Sequence, residues 1–173
     1  MKKILCSFLC VLFLCSCTDL KSKDVENEPL SISGFTCTLR TTFNGLDITA
    51  NAQYTLPNTI TLEMTAPETV KGMQINCIDG EYTVQYKGLE LTVDGDKMPF
   101  NMVCRGIEEC INNAQGKKPT KDEKSESLVY SYTAESHTCK LFVNRDTKAF
   151  QKIAIDGIDA LFFENFTYIY GTD

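Results

Sequence analysis

Histidine is almost missing from this 173-residue chain, and His137 is the only one. That excludes metal centres built on several imidazoles and makes any Ser-His-Asp apparatus depend on a single residue. Basic residues are in deficit, with 17 Lys+Arg against 23 Asp+Glu and a net charge of −6. A nucleic-acid backbone needs clustered cations and is therefore a poor partner. The ten glycines are scattered singly at turns, so no phosphate-cradling loop is present. No apolar run reaches the ~20 residues of a membrane-spanning helix. Val, Ile, Leu and aromatics are plentiful and well spread, which excludes collagen-like, coiled-coil and wholly disordered chains. The length suits one ordinary domain with appendages.

The N-terminus reads as an address followed by an anchor. Lys2 and Lys3 precede an apolar stretch over residues 4–14, the pattern of a secretory signal. That stretch ends in Leu14-Cys15-Ser16-Cys17, which resembles the lipobox of bacterial lipoprotein signal peptides. The resemblance implies a signal peptide over residues 1–16, cleavage before Cys17, a diacylglycerol thioether on its sulfur, and acylation of its new amino group. Each buried CH₂ adds ~0.8 kcal/mol, and two or more chains suffice for stable anchoring. Cleavage removes two lysines and no acid, leaving 15 Lys+Arg against 23 Asp+Glu. Residues 17–31 then carry the lipidated Cys and a polar, charge-rich tether without apolar periodicity.

From residue 32 to 173 the period is two. Ile60, Leu62 and Met64 alternate with Thr59, Thr61 and Glu63, and Tyr82, Val84 and Tyr86 alternate with Glu81, Thr83 and Gln85. Asn44-Gly45, Asp79-Gly80 and Asp156-Gly157 are tight-hairpin dipeptides, and Lys87-Gly88 supplies a further turn. Strands that are apolar on one face belong to an antiparallel sheet covered on one side. Residues 100–114 break the pattern: Phe100, Val103, Cys104, Ile107, Cys110, Ile111 and Ala114 form a helical stripe. Pro99 suits the first turn of that helix, and Gly116 suits the position just past its end. Strands resume near 128–134, 138–144, 150–156 and 161–170. The last is dense in aromatics on both faces, which predicts burial on both sides or a partly covered edge. The expected fold is α+β and mainly antiparallel β: a curled meander, or half-barrel, of about nine or ten strands with one covering helix.

These features resemble the LolA/LolB-type lipoprotein-carrier superfamily. The resemblance rests on the lipobox, tether and meander together with Thr61-Leu-Glu-Met-Thr-Ala-Pro67, Lys71-Gly72, Asp79-Gly80-Glu81-Tyr82 and Tyr86-Lys87-Gly88. It implies a LolA-like half-barrel, with the helix after Met98-Pro99 taking a lid position. Diverged members of that group include sporulation and germination lipoproteins. Where the family carries an amphipathic helix before its first strand, residues 18–33 show no such stripe.

Candidate chemistry is sparse. Of nine cysteines, Cys6, Cys10 and Cys15 leave with the signal, and Cys17 is the expected lipidation site. Cys37, Cys77, Cys104, Cys110 and Cys139 remain, an odd number that always leaves one thiol. On a helix Cys104 and Cys110 are separated by a rise of ~9 Å, too far for a bridge. A cross-strand bridge between Cys37 and Cys77 stays open. His137 and Cys139 stand two apart on an expected strand, roughly 6.5 Å at Cα, which makes thiolate-generating contact awkward. Cys139 also heads the apolar row Cys139, Leu141, Val143. Asp94-Gly-Asp96 is a hairpin tip without the further oxygen ligands calcium requires, and Glu108-Glu109 is expected on the solvent side of the helix. Asn165-Phe166-Thr167 matches the glycosylation pattern by chance in a bacterial lipoprotein.

These readings lead to a non-enzymatic, extracytoplasmic lipoprotein anchored to a membrane, with no catalytic residue, metal or cofactor. Met64, Met73, Ile75, Tyr86 and Leu91 are candidates to line a cavity for a lipid, acyl chain or lipoprotein tail. Phe100, Val103, Ile107 and Ile111 are candidates for its lid. The alternative is that the same residues fill the core, and that the protein acts as partner or regulator of an envelope enzyme. A hydrolase built on Cys139 and His137 stands third.

Overall fold

The computed structural model describes residues 28–98, 100–121, 127–133, 138–156 and 158–170. The expected signal peptide, Cys17, most of the expected tether, Pro99 and His137 lie outside these residues. Eleven strands form a single sheet: β1 (Gly34–Phe43), β2 (Leu46–Thr55), β3 (Thr59–Ala66), β4 (Gln74–Ile78), β5 (Glu81–Tyr86), β6 (Leu89–Val93), β7 (Thr120–Lys121), β8 (Ser127–Thr133), β9 (Thr138–Asn144), β10 (Phe150–Ile155) and β11 (Ile158–Ile169). Among the described residues one α-helix, α1 (Asn101–Ala114), separates β6 from β7. The expected half-barrel with one helix is therefore observed. The strand count exceeds nine or ten because the two-residue β7 is too short to show periodicity.

The spatial order is β6-β5-β4-β3-β2-β1-β11-β10-β9-β8-β7. Two meanders, one on each side of the helix, are joined where the first strand pairs antiparallel with the last. The sheet is not closed, and β6 and β7 are its edges. The tight turns have the geometry their residues favour. Asn44-Gly45, Asp79-Gly80 and Lys87-Gly88 each hold two successive positive φ angles, which turn the chain with the right-handed twist of the flanking strands.

Alternation translates directly into burial. Ile60, Leu62 and Met64 point into the core, as do Cys139, Leu141 and Val143. Strand β11 is different, and both alternatives expected for it are corrected: it lies centrally between β1 and β10 rather than at an edge, and it is buried on one face only, with Phe162 exposed on the other. Its register against β1 slips between Thr36↔Thr167 and Thr38↔Glu164, placing one extra residue on β11. Asn165 takes a left-handed conformation there, with φ of 51°. A bulge of this kind re-aims the side chains beyond it. Phe163 and Phe166 consequently join one aromatic cluster around Phe35 and Phe150, with ring centroids 4.8–6.1 Å apart. Phe162 faces solvent instead.

Helix α1 lies across the concave face and touches both meanders. It buries Val103, Cys104, Gly106, Ile107, Cys110, Ile111 and Ala114, the stripe expected from sequence. Burying each large aliphatic side chain contributes roughly 2 kcal/mol, which an isolated 14-residue helix lacks. Gly106 is where the helix comes closest to β10, since a Cβ there would run into Ile155. The helix ends at Ala114: Gln115 leaves the helical path with ψ of 132°, and Gly116 follows with a positive φ of 69°. Cys110 is bonded to Cys139 on β9, with Cα atoms 6.0 Å apart. Cys110 and Cys139 are thus core residues and also a covalent staple.

The chain entering the domain is fixed against the end of the helix. Leu30 accepts a hydrogen bond from Gly116 N at 2.8 Å and donates to Lys117 O at 3.2 Å. The Gln115 side chain clasps the Ile32 backbone, donating to its carbonyl at 3.1 Å and accepting from its N–H at 3.4 Å. Leu30, two residues ahead of the expected domain start, is already part of the core.

Candidate functional site: a filled half-barrel and the grooves around it

The five residues expected to line a ligand cavity do not converge on one. Met64 is 1% exposed and Ile75 is 0% exposed, both inside the core. Met73 is half-buried and packs against that core. Tyr86 is half-buried, and its hydroxyl donates to Thr69 O at 2.9 Å. Leu91 is 63% exposed on the edge strand, which corrects its place in a cavity. Of the residues expected in a lid, Val103, Ile107 and Ile111 are buried in the core, and Phe100 packs its ring on Phe43 with centroids 5.3 Å apart.

What lies between helix and sheet is side chains. A cavity wide enough for an acyl chain would leave the atoms of its walls without packed neighbours, and so with accessible area, even if it stayed dry. Ile75, Cys77, Cys104 and Ile111 show none, and Met64, Tyr54, Tyr82 and Ile107 show 1% each. These residues come from β2, β3, β4, β5 and α1 and meet in one hydrophobic cluster.

Around that core the helix carries a row of polar contacts. Tyr82 OH donates to Asn101 Oδ1 at 2.8 Å, and Tyr54 OH donates to Asn112 Oδ1 at 3.1 Å and to Pro57 O at 3.2 Å. Asn112 in turn donates to Asn58 Oδ1 at 3.0 Å. Cys77 donates to Glu108 Oε1 at 3.7 Å. Glu108, expected in solvent, is half-buried, because the helix is rolled so that this turn faces β4. Burial raises its carboxyl above the ordinary range, opposed by the Cys77 hydrogen bond. Asn58, Asp79, Tyr82, Asn101, Glu108 and Asn112 form part of a shallow polar cleft of about 540 Å³.

The free thiols are chemically quiet. Burial pushes the Cys37 thiol up to about 12, and it also raises Cys77 and Cys104. They stay protonated at neutral pH, whereas a nucleophile must be a thiolate. Cys37 and Cys77 are both unpaired, so the open cross-strand bridge is not made. Cys139, the suggested nucleophile of a Cys/His pair, is spent in the bond to Cys110.

A second groove, of about 410 Å³, opens where the chain enters the domain. Leu30 and Ile32 form one wall, and Leu128, Tyr130, Val143 and Tyr168 form the other. Tyr168 OH donates to Lys148 O at 2.6 Å, which fixes its ring. Sequence reasoning missed this groove because it is built from four separate segments. The one available signal was the apolar pair Leu30 and Ile32 at the end of the polar tether, out of phase with the Phe35, Cys37, Leu39 row that follows. Among the described residues, no helix is long and apolar enough to cross a membrane.

No protein-family model matches the chain, and no curated protein matches it. Solved structures with similar architecture include an uncharacterized conserved protein from Thermus thermophilus, at 8% identity with a TM-score of 0.45, covering 81% of each chain. A second comes from the complex of the CwlD amidase with the GerS lipoprotein of Clostridioides difficile, at 18% identity and TM-score 0.46, covering 80% of this chain and 88% of that one. A third is a LolA superfamily protein from Nitrosomonas europaea, at 9% identity and TM-score 0.41, covering 86% and 91%. At these values no residue role, ligand or partner carries over, and the half-barrel stands on its own sheet geometry.

Proposed function

We propose that this chain is a non-enzymatic lipoprotein, tethered through Cys17 outside the cytoplasm, whose half-barrel is a filled scaffold for a protein partner in the cell envelope. The observation that carries this reading is the closed helix–sheet interface, where Met64, Ile75, Ile107 and Ile111 leave no room for an acyl chain. Protonated free thiols and the Cys110–Cys139 bond support the absence of nucleophilic chemistry. Lipid extraction and native mass spectrometry of the purified chain test it. The expected result is no bound lipid beyond the covalent anchor, and no rise in melting temperature on adding fatty acid or phospholipid. A stoichiometric lipid that is lost when Ile107 is enlarged to Phe would overturn it.

The apolar-ligand reading keeps one specific support. The groove beside Leu30 and Tyr168 has a volume within the ~300–1,000 Å³ of small-molecule sites. Ligand there would be displaced by Val143→Trp and left untouched by substitutions at Ile107.

A further inference from the structure

We propose that β6 is a docking edge for a second copy of this chain, pairing antiparallel with its own counterpart about a two-fold axis at Leu91. Among the described residues β6 pairs only with β5, so its other side is open. Leu89 and Leu91 are 71% and 63% exposed. An open edge bearing large apolar side chains is a template for another strand, and natural sheets usually blunt such edges with charges or proline. On β6 the only charge is Glu90, whose carboxylate accepts from Gln85 at 2.8 Å.

The turn before β6 settles which backbone groups are on offer. Lys87 and Gly88, with φ of 49° and 81°, form a two-residue hairpin loop closed by Tyr86 and Leu89. The closing pair of such a loop exchanges hydrogen bonds, and hydrogen-bonded and open pairs then alternate. Leu89, Leu91 and Val93 therefore bond inward to Tyr86, Val84 and Tyr82. Glu90 and Thr92 present their N–H and C=O groups outward.

Antiparallel self-pairing can use those outward groups in few registers. Centring the axis on Leu91 sets Glu90 opposite Thr92 of the other copy, twice, for four hydrogen bonds. Leu91 then faces Leu91 in the close, non-bonded position, and Leu89 faces Val93. Sliding two residues one way sets Glu90 against Glu90, and the other way sets it against Asp94. Like charges directly opposite are destabilising, so only the Leu91-centred register avoids acid facing acid. It also brings Lys87 beside Asp94 of the second copy. The interface is isologous and closes as a dimer. The proposal is separate from the envelope-partner reading, because it concerns a different occupant, a second copy of this chain.

The test uses the full-length chain in bacterial membranes and in mild detergent. Leu91→Cys under a mild oxidant is expected to give a reducible species of twice the chain mass on a non-reducing gel. Leu46→Cys, 59% exposed at the start of β2, is expected to give none. Thr92→Pro removes an outward N–H and leaves the β5 pairing intact, so adding it is expected to abolish the cross-link while circular dichroism stays unchanged. Leu91→Lys in the otherwise native chain is expected to weaken the dimer at least tenfold in sedimentation equilibrium. Equal cross-linking from both cysteine positions would overturn the proposal. So would a monomeric native chain at 100 µM, or a folded Thr92→Pro variant that cross-links undiminished.

Discussion

Reducing the Cys110–Cys139 bridge tests how much of the fold depends on one covalent link between helix and sheet. The bond closes a loop of 29 residues. Loop-closure entropy for that length is about 12 cal/mol/K, or about 3.6 kcal/mol at 25 °C. Domains of this size are typically stable by ~5–15 kcal/mol, so the bridge holds between a quarter and most of the total. The loop it closes contains α1's last turn, β7 and β8, so the bond ties the helix that crosses the concave face to the second meander. The assay is urea unfolding followed by circular dichroism, with and without reductant, since the chain has no tryptophan to report by fluorescence. With a slope of about 2 kcal/mol/M, the midpoint should fall by about 1.8 M on reduction. The melting temperature should fall by about 10 °C. Alkylation and mass analysis must show two additional reactive thiols in the reduced sample. If those thiols appear and the midpoint moves by less than ~0.3 M, the entropic account of the bridge is refuted.

Three further outcomes follow from single residues. Glu108 has a folded carboxyl raised above its ordinary value of 4.5 by burial. The folded state therefore binds the proton more tightly, and this group's contribution to stability falls as pH rises from about 4.5 through the folded value. Glu108→Gln should be more stable than the native chain at pH 7 and equal to it near pH 4, as read from melting curves. The Thr41 hydroxyl is buried without a hydrogen-bond partner. Thr41→Val keeps its shape and removes that penalty, so unfolding free energy should rise by about 1 kcal/mol in urea titration. Cys17→Ala removes the expected lipid-bearing sulfur. The chain should then leave the membrane pellet for the soluble fraction, checked by fractionation and absence of labelled fatty acid.

The alternation of Ile60, Leu62 and Met64, the turn at Asn44-Gly45 and the stripe from Val103 to Ala114 are local signals. Each depends on residues a few positions apart, and each appears in the structure as its spacing implies. The cavity residues fared differently for a physical reason. Alternation shows that Ile75, Tyr86 and Leu91 share the concave side of their strands, but exposure depends on how far the helix reaches across the sheet. Ile75 lies under α1 and is sealed, while Leu91 lies beyond it on the edge and is exposed. Glu108 shows the same dependence, because a small roll of the helix decides whether its turn faces water or Cys77.

The order of strands along the chain, their one-sided hydrophobicity and the single covering helix were written in the sequence, because hydrogen-bonded hairpins and helical stripes are short-range. The lipobox-like run Leu14-Cys15-Ser16-Cys17 is also read from sequence alone, and it stands as an expectation outside the described residues. Tertiary structure alone decided that β1 closes against β11 across more than a hundred residues, that Cys110 finds Cys139, and that an extra residue at Asn165 turns Phe166 into the core. These depend on packing between segments distant in sequence, where one bulge or one degree of curl changes which side chains meet. The same packing left the interior full and, among the described residues, β6 open.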